Sequence, residues 1–166
     1  MIVRMIGDLL ELDADIICHQ TNYQGVMGAG IAYSIRERLL SEDQIREYER
    51  YCAENQEKAL GTVQYLEYRP GKFVANCFSQ GTVSKMNAGV TNYAALKKCL
   101  MGVQKYAARN GYSVALPCKM GCGLAGGNWE LVQDIIERIF VGIDCLIVYQ
   151  PHDAELRKAD IERRYR

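Results

Sequence analysis

The sequence predicts a three-layer α/β/α fold in which helices cover both faces of a mixed, largely parallel central sheet. Short apolar runs alternate along the chain with segments of helical periodicity. Runs such as "YSVALP" and "DCLIVY" are almost continuously apolar, as is typical of parallel strands buried on both faces. Two glycine-rich segments, "GVMGAG" and "GCGLAGG", each stand between a strand and a helix. These observations indicate repeated strand–helix units.

Six strands are predicted from the apolar runs. The stretch "RPG" separates the third from the fourth and indicates a hairpin. The other strands are separated by helical or glycine-rich segments, which favours parallel pairing. The predicted strands cover Ile2–Ile6, Asp15–Gln20, Thr62–Tyr68, Lys72–Gln80, residues 112–117 and residues 144–151.

Helices are predicted from apolar spacing and from capping residues. The first follows the glycine turn and continues to Leu39, with apolar residues at helical spacing. Ser41 opens the second through a capping box, and this helix extends to roughly Lys58. Thr91 is predicted to cap the third helix, which Gly111 ends.

The fourth helix is predicted to begin at about Asn128, with apolar residues on its inner face. The tail Ala154–Arg166 is polar and is also predicted to be helical. The length favours a single domain over residues 1–166, in which residues from about 152 to 166 form a C-terminal extension.

Charge and cysteine content narrow the class of protein. Lys+Arg and Asp+Glu both number 20, and zero net charge argues against broad, sequence-independent nucleic-acid binding. The seven cysteines are scattered, mostly in apolar runs, as expected of reduced core residues in a cytoplasmic protein. Cys118 and Cys122 have no second cysteine pair nearby, so neither a metal site nor a cofactor is expected. No run has membrane-spanning length and no leader is visible, so no membrane association is expected.

Ligand-binding segments are expected where the parallel strands end. Residues 19–30, 78–90 and 119–127 lie at such positions. A glycine turn that leads into a helix favours phosphate, because the first N–H groups and the helix dipole attract anions. Two such turns suit a pyrophosphate better than a single phosphate. Neither turn is a Walker P-loop, and a helical pattern occupies the region where a Rossmann site needs its acidic residue.

Four stretches of the chain resemble the motifs of the macrodomains, a family that binds ADP-ribose. They are "GDLLELDADIICHQTN" at the start, "VMGAGIA" as the first phosphate loop, "ALPCKMGCGLAGGNW" as the second and "DCLIVYQ" as the last strand. The resemblance extends over nearly the whole chain and implies a macrodomain fold. It is greatest to the branch that includes terminal ADP-ribose protein glycohydrolase, antitoxins that remove ADP-ribose from DNA, and ADP-ribose 1''-phosphate phosphatases.

The resemblance implies ligand-binding roles for residues in these stretches. Asp8, with Leu9 beside it, would bind the adenine amino group, Asn22 would bind the distal ribose, and Tyr149 would border the adenine. The first loop would bind one phosphate, and the second would wrap the other phosphate and the distal ribose. These loops comprise Gly28, Ala29, Gly30 and Ile31, and Gly121, Cys122, Gly123, Leu124 and Ala125.

Each of these residue types also has an ordinary structural interpretation. Asp8 is consistent with a capping aspartate, Asn22 with a turn residue and Tyr149 with a core tyrosine. The two glycine loops are consistent with tight helix-entry turns that bind nothing. The sequence alone leaves these alternatives open.

The reaction is the least defined part of the prediction. The related glycohydrolases carry a Lys and an Asp at positions that here hold Val90 and Ala125. Lys85, which precedes Val90 in the same segment, is a candidate replacement. The related phosphatases carry a His that matches His19, which would act as acid, base or phosphate ligand. A core histidine is the alternative, because an extended strand puts His19 on the face opposite Asn22 unless the strand ends or bends.

The sequence therefore leaves three functions open. The one that the resemblance favours is binding and hydrolysis of an ADP-ribose derivative, either ADP-ribose 1''-phosphate or an ADP-ribosylated macromolecule. The second is a non-catalytic reader of ADP-ribose, and the third is another kind of nucleotide-binding module. The expected partner is ADP-ribose or a derivative, including an ADP-ribosylated protein or nucleic acid, and a monomer is expected.

Overall fold

The fold is built on one mixed sheet. The computed structural model describes residues 1–81 and 90–166. Within these ranges the strands are β1 (Ile2–Ile6), β2 (Ile16–Asn22), β3 (Val63–Arg69), β4 (Lys72–Gln80), β5 (Val114–Pro117) and β6 (Cys145–Tyr149). They lie in the order β1-β6-β5-β2-β4-β3. Every neighbouring pair is parallel except the antiparallel β3–β4 hairpin, so the predicted mixed, largely parallel sheet is confirmed.

Helices cover both faces of this sheet. They are α1 (Gly30–Arg38), α2 (Glu42–Asn55), α3 (Tyr93–Asn110), α4 (Trp129–Ile139) and α5 (Ala154–Arg163). The buried residues of α1 and α2 pack on one face, and those of α3 and α4 pack on the other, which confirms the three-layer architecture. Across residues 1–81 and 90–166, no helix is long and apolar enough to cross a membrane.

The inner strands are buried on both faces. In β5, Val114 and Leu116 belong to the core that packs against α3 and α4. Ala115, between them, belongs to the core on the α1 and α2 side. All three residues are completely buried, which explains the apolar runs in the sequence. Full burial of one such Val or Leu side chain contributes about 1.5–3 kcal/mol.

Capping residues define three helix starts. Ser41 and Gln44 form the predicted reciprocal capping box at α2, and Asn128 caps α4. The prediction that Thr91 caps α3 is wrong. Asn92 is the cap instead, because its side chain accepts the hydrogen bond of a backbone N–H in the first turn.

Several element ends differ from the prediction by a few residues; β3, for example, is Val63–Arg69 rather than Thr62–Tyr68. β2 continues beyond Gln20 to Asn22, where it still pairs with β4. α2 ends at Asn55 rather than near Lys58, and a short 3₁₀ helix follows. Gln56 has a φ of +48° and a ψ of −129°, and this non-helical backbone ends the α-helix.

Candidate functional site

A large cleft lies at the carboxyl ends of the strands. Its volume is about 1030 Å³. Its walls are formed by the segments that follow β1, β2, β5 and β6, together with one face of α1. These four strands are parallel neighbours, so their carboxyl ends open at the same edge of the sheet. This is where ligands bind in open α/β sheets.

One face of α1 forms a side of the cleft. Ile31, Ser34 and Arg38 line it, and their spacing places them on the same face of the helix. The distance along the helix axis from Gly30 to Arg38 is about 12 Å, from the rise per residue. The cleft therefore extends from the amino end of α1 at Gly30 to its carboxyl end at Arg38.

Asp8 lies at the Arg38 end of the cleft. Its Oδ1 accepts a hydrogen bond from the Leu10 N–H at 2.9 Å, and its Oδ2 accepts one from Arg38 Nη1 at 2.8 Å. Burial acts to raise the pKa of the Asp8 carboxyl, but these two hydrogen bonds and the Arg38 charge hold that pKa below its usual value. Asp8 therefore caps a 3₁₀ helix and also presents an ionised carboxylate to the cleft.

The first glycine loop begins α1 without a side-chain cap. Ala29 is the N-cap residue and makes no side-chain hydrogen bond. Gly30 has a φ of +59°, a left-handed conformation that favours glycine. The first turn of a helix has N–H groups without intrahelical acceptors, and Gly28, Ala29, Gly30 and Ile31 all line the cleft. This end of α1 is therefore suited to an anion.

The second glycine loop is packed tightly against β2. Gly121 has a φ of +73°, and a Cβ there would lie 2.7 Å from Gln20 Oε1. Gly127 donates its N–H to the Gly121 carbonyl at 2.9 Å, and a Cβ on Gly127 would lie 2.5 Å from that oxygen. Neither position accepts a larger residue without a shift. The loop thus brings the backbone of residues 123–125 to the cleft wall.

Gln20 connects this loop to the start of α3. Its Nε2 donates to Thr91 Oγ1 at 3.0 Å, and its Oε1 accepts from Ser79 Oγ at 2.8 Å. Thr91 Oγ1 in turn donates to the Gly121 carbonyl at 2.6 Å. This buried network occupies the Thr91 hydroxyl, which explains why Asn92 caps α3 instead.

Asn22 lines the cleft, but its amide holds the turn that follows β2. Its Oδ1 accepts the Gln24 N–H at 2.9 Å, and its Nδ2 donates to the Val26 carbonyl at 2.8 Å. These contacts match the turn interpretation of Asn22. An amide NH₂ has two hydrogens, so one remains for a ligand, and the ribose contact stays a prediction.

The fold is shared with proteins of a known family. The macro domain family model matches residues 18–136, more than half of the chain. This chain is a macrodomain. It is 28% identical to ADP-ribose glycohydrolase OARD1 of Bos taurus over 142 residues, which cover 85% of each protein.

Solved structures agree with this assignment. The macrodomain of Mycobacterium tuberculosis DarG matches with a TM-score of 0.76 at 24% identity, over 89% of this chain and 97% of that one. Thermosipho africanus DarTG in complex with ADP-ribose matches with a TM-score of 0.68 at 19% identity, over 87% of this chain and 40% of that one. At these identities the two structures support the fold.

Val90 and Ala125 of this macrodomain lie side by side. The Val90 N–H donates to the Ala125 carbonyl at 3.0 Å, and Ala125 lines the cleft. The two positions at which the resemblance implies a catalytic Lys and Asp are therefore adjacent. Here both side chains are apolar and transfer no proton. Lys85, the candidate replacement, lies outside the described residues.

The macrodomain fold places His19 in the core rather than in the cleft. β2 stays extended to Asn22, so alternation turns His19 toward the α1 and α2 layer. His19 is completely buried, and its Nε2 lies 2.5 Å from Oδ1 of Asn76, its partner on β4. The irregularity in β2 comes only between Thr21 and Asn22, beyond His19, so it does not turn His19 into the cleft. The core interpretation of His19 therefore replaces the catalytic one. Burial, opposed by the Asn76 hydrogen bond, lowers the pKa of His19 to about 4.

The stability of this macrodomain is expected to fall as the pH decreases from about 6.5 to about 4. The pKa of His19 is about 4 when folded and 6.5 at its ordinary value, so between these limits only the unfolded chain binds the proton. The free energy of unfolding should decrease by about 1.4 kcal/mol per pH unit from this group. Denaturant unfolding of His19→Gln across this range should show a shallower pH dependence. Equal slopes for wild type and His19→Gln would contradict the prediction.

Two other predicted ligand residues face away from the cleft. Tyr149 is completely buried, and its hydroxyl donates to Asp160 Oδ2 at 2.9 Å. Along β6 the side chains alternate, so Val148 and Gln150 line the cleft instead. Cys122 packs against the core on the α3 and α4 side. The adenine contact expected of Tyr149 is therefore corrected to core packing. Although the Cys122 thiol packs in the core, the part expected of Cys122 in the second loop, close approach of the backbone to the ligand, stays a prediction.

The cleft also contains an ion pair that sequence reasoning missed. Lys119 Nζ lies 2.7 Å from Asp153 Oδ1, and His152 Nε2 lies 3.5 Å from Asp153 Oδ2. Lys119 has a φ of +60°, which is unusual for a residue other than glycine. The pair joins the segments that follow β5 and β6. Within the two described ranges, no group of His, Cys, Asp or Glu is arranged to hold a metal ion.

Proposed function

We propose that this macrodomain binds ADP-ribose, free or attached to another molecule, in the cleft beside α1. The observation that carries the proposal is the continuity of the cleft. An ionised acceptor, Asp8, lies beside Arg38 at one end of α1, and the first glycine loop lies at the other end, about 12 Å away along the helix axis. The second glycine loop lines the same cleft. Thermosipho africanus DarTG, a relative in fold, was solved in complex with ADP-ribose, which supports the same ligand here.

Each part of ADP-ribose lies against a part of the cleft with complementary chemistry. The adenine amino group donates to the Asp8 carboxylate, which keeps free lone pairs after its two internal hydrogen bonds. The pyrophosphate lies at the amino end of α1, where the Gly30 turn exposes N–H groups. The distal ribose lies between Asn22 and the second glycine loop, next to Ala125.

We further propose that the bound molecule is an ADP-ribose derivative and that this protein hydrolyses it. The support is the Bos taurus relative, which is named an ADP-ribose glycohydrolase. The substrate is ADP-ribose 1''-phosphate or an ADP-ribosylated macromolecule, since both place the bond to be cleaved at the distal ribose.

A non-catalytic reader is the second candidate, and one observation favours it. Val90 and Ala125 hold no acid or base. The described titratable side chains that line the cleft follow β1, β5 or β6 or end α1; they are Asp8, Arg38, Cys118, Lys119, His152 and Asp153. None of them lies in the segment after β2, next to Asn22, where we propose that the distal ribose binds.

A turnover panel distinguishes the two candidates. Purified protein is incubated with ADP-ribose 1''-phosphate, with ADP-ribosylated protein and with ADP-ribosylated DNA, and the release of ADP-ribose or phosphate is measured. We expect saturable release from one of these substrates. Binding of ADP-ribose without release from any substrate would contradict hydrolysis and favour the reader.

A further inference from the structure

The ion pair between Arg38 and Asp8 stands at the end of the cleft where we propose that adenine binds. Arg38 belongs to the face of α1 that lines the cleft, at the carboxyl end of the helix. Its guanidinium donates to Asp8 Oδ2 at 2.8 Å and lies 3.8 Å from Glu11 Oε1. The Arg38 and Asp8 side chains are 44% and 38% exposed, so the pair is open to a ligand.

Stability does not explain this pair well. Ion pairs with this degree of exposure contribute about 0–1 kcal/mol, because water screens them. The 3₁₀ helix Leu9–Glu11 already has its cap in Asp8 Oδ1. The contact from Arg38 is made to the other oxygen, and it therefore adds little to the local fold.

The contact from Arg38 does hold the Asp8 carboxylate in one orientation toward a ligand. One oxygen of Asp8 is held by the Leu10 N–H and the other by Arg38 Nη1. With both oxygens bonded, the carboxylate cannot rotate without breaking a hydrogen bond. Each oxygen retains a lone pair, so the group presents acceptors, and only acceptors, in a fixed direction.

We propose that Arg38 is a positioning residue that makes the cleft select adenine over 6-oxopurines. This inference rests on the proposed binding of ADP-ribose. A fixed carboxylate accepts a hydrogen bond from a 6-amino group, and it repels the lone pairs of a 6-carbonyl. Without Arg38, Asp8 is free to turn away from a carbonyl, and discrimination between the two purines decreases.

The test compares two ligands that differ at position 6 of the purine, and with it in the hydrogen that the 6-oxopurine carries on N1. ADP-ribose and its hypoxanthine analogue, inosine diphosphate ribose, are titrated calorimetrically into wild type and Arg38→Gln. We expect wild type to prefer ADP-ribose, and Arg38→Gln to weaken ADP-ribose binding about tenfold, the scale of one charge-assisted hydrogen bond. The affinity for the hypoxanthine analogue should change much less, so the ratio of the two affinities should fall.

Two further variants control for charge and for fold. Arg36→Gln removes a cation from the same helix at a residue that pairs with Glu37 and does not line the cleft, and both affinities should be unchanged. Arg38→Lys retains a cation and should restore part of the preference for adenine. The melting temperature of each variant should equal that of wild type.

The outcomes separate this inference from the proposed function. If wild type does not bind ADP-ribose, the proposed function fails. If wild type binds and Arg38→Gln keeps both affinities, or loses both by the same factor, Arg38 does not set the selectivity and the inference is overturned. A Lys variant no better than the Gln variant would likewise contradict a role for the cation.

Discussion

Gly30→Glu is expected to reduce ADP-ribose binding at least about 100-fold while the protein stays folded. Gly30 begins α1, lines the cleft and has a φ of +59°, and no atom lies within 4 Å of the point that a Cβ would occupy. A glutamate there brings a carboxylate to the N–H groups that would otherwise bind phosphate. Lost hydrogen bonds to a charged ligand amount to about 3 kcal/mol, which is a factor of about 100 in affinity.

The positive φ at position 30 also strains any residue that replaces glycine. Two control variants separate the effect of this strain from the effect of the charge. Gly30→Ala has the same φ without the charge, so it should retain most of the affinity. Gly71→Glu introduces the same residue at a φ of +73°, also with no atom within 4 Å, in the β3–β4 hairpin. The strain of about 1–2 kcal/mol is then common to all three variants. Calorimetric titration that finds near-normal affinity for Gly30→Glu would show that the phosphates bind elsewhere.

Asp160→Ala is expected to lower the free energy of unfolding by about 3–5 kcal/mol. Asp160 lies on α5 and is almost completely buried. Its carboxylate accepts hydrogen bonds from Trp129 Nε1 at 3.0 Å, Gln133 Nε2 at 3.1 Å and the Tyr149 hydroxyl at 2.9 Å. Removal of the carboxylate leaves three donors without their acceptor in the interface of α4, α5 and β6.

Asp134 provides the matched control for Asp160. It also joins α4 to α5, through an ion pair with Arg163 at 3.0 Å, but its side chain is 47% exposed. Asp134→Ala should therefore cost about 0–1 kcal/mol. Denaturant unfolding followed by circular dichroism measures both variants, and emission of Trp129, the one tryptophan of the chain, reports on the α5 contact. A similar decrease in the free energy of unfolding for both variants would contradict a special role of the buried Asp160 carboxylate.

The sequence predicted the inner strands of the sheet well because they are buried on both faces, and it predicted the partly exposed edge strand β1 from its short apolar run. β1 and β4 have the predicted ends, Ile2–Ile6 and Lys72–Gln80. The same double burial hides which face each side chain occupies, since an apolar run has no polar face. The resemblance implies that Tyr149 borders the adenine, and the apolar run contains no signal against it, although Val148 and Gln150 line the cleft instead.

Contacts between distant segments account for most of the other differences. Thr91 and Asn92 are both good capping residues, and only the position of Gln20 on β2 makes Thr91 part of another network. The Lys119–Asp153 pair exists because β5 and β6 are neighbours, and strand order is not encoded in local periodicity. Arg38, in contrast, could have been found from its helical spacing relative to Ile31.

Calorimetric titration of the unmodified protein with ADP-ribose tests the central claim most directly. AMP and NAD serve as comparison ligands, because AMP lacks the second phosphate and the distal ribose, and NAD carries nicotinamide on that ribose. We expect one ADP-ribose per chain, bound more tightly than either comparison ligand, since only ADP-ribose fits the cleft from Asp8 to Ala125 without an added group. No heat of binding at millimolar ADP-ribose, or tighter binding of NAD, would contradict the account.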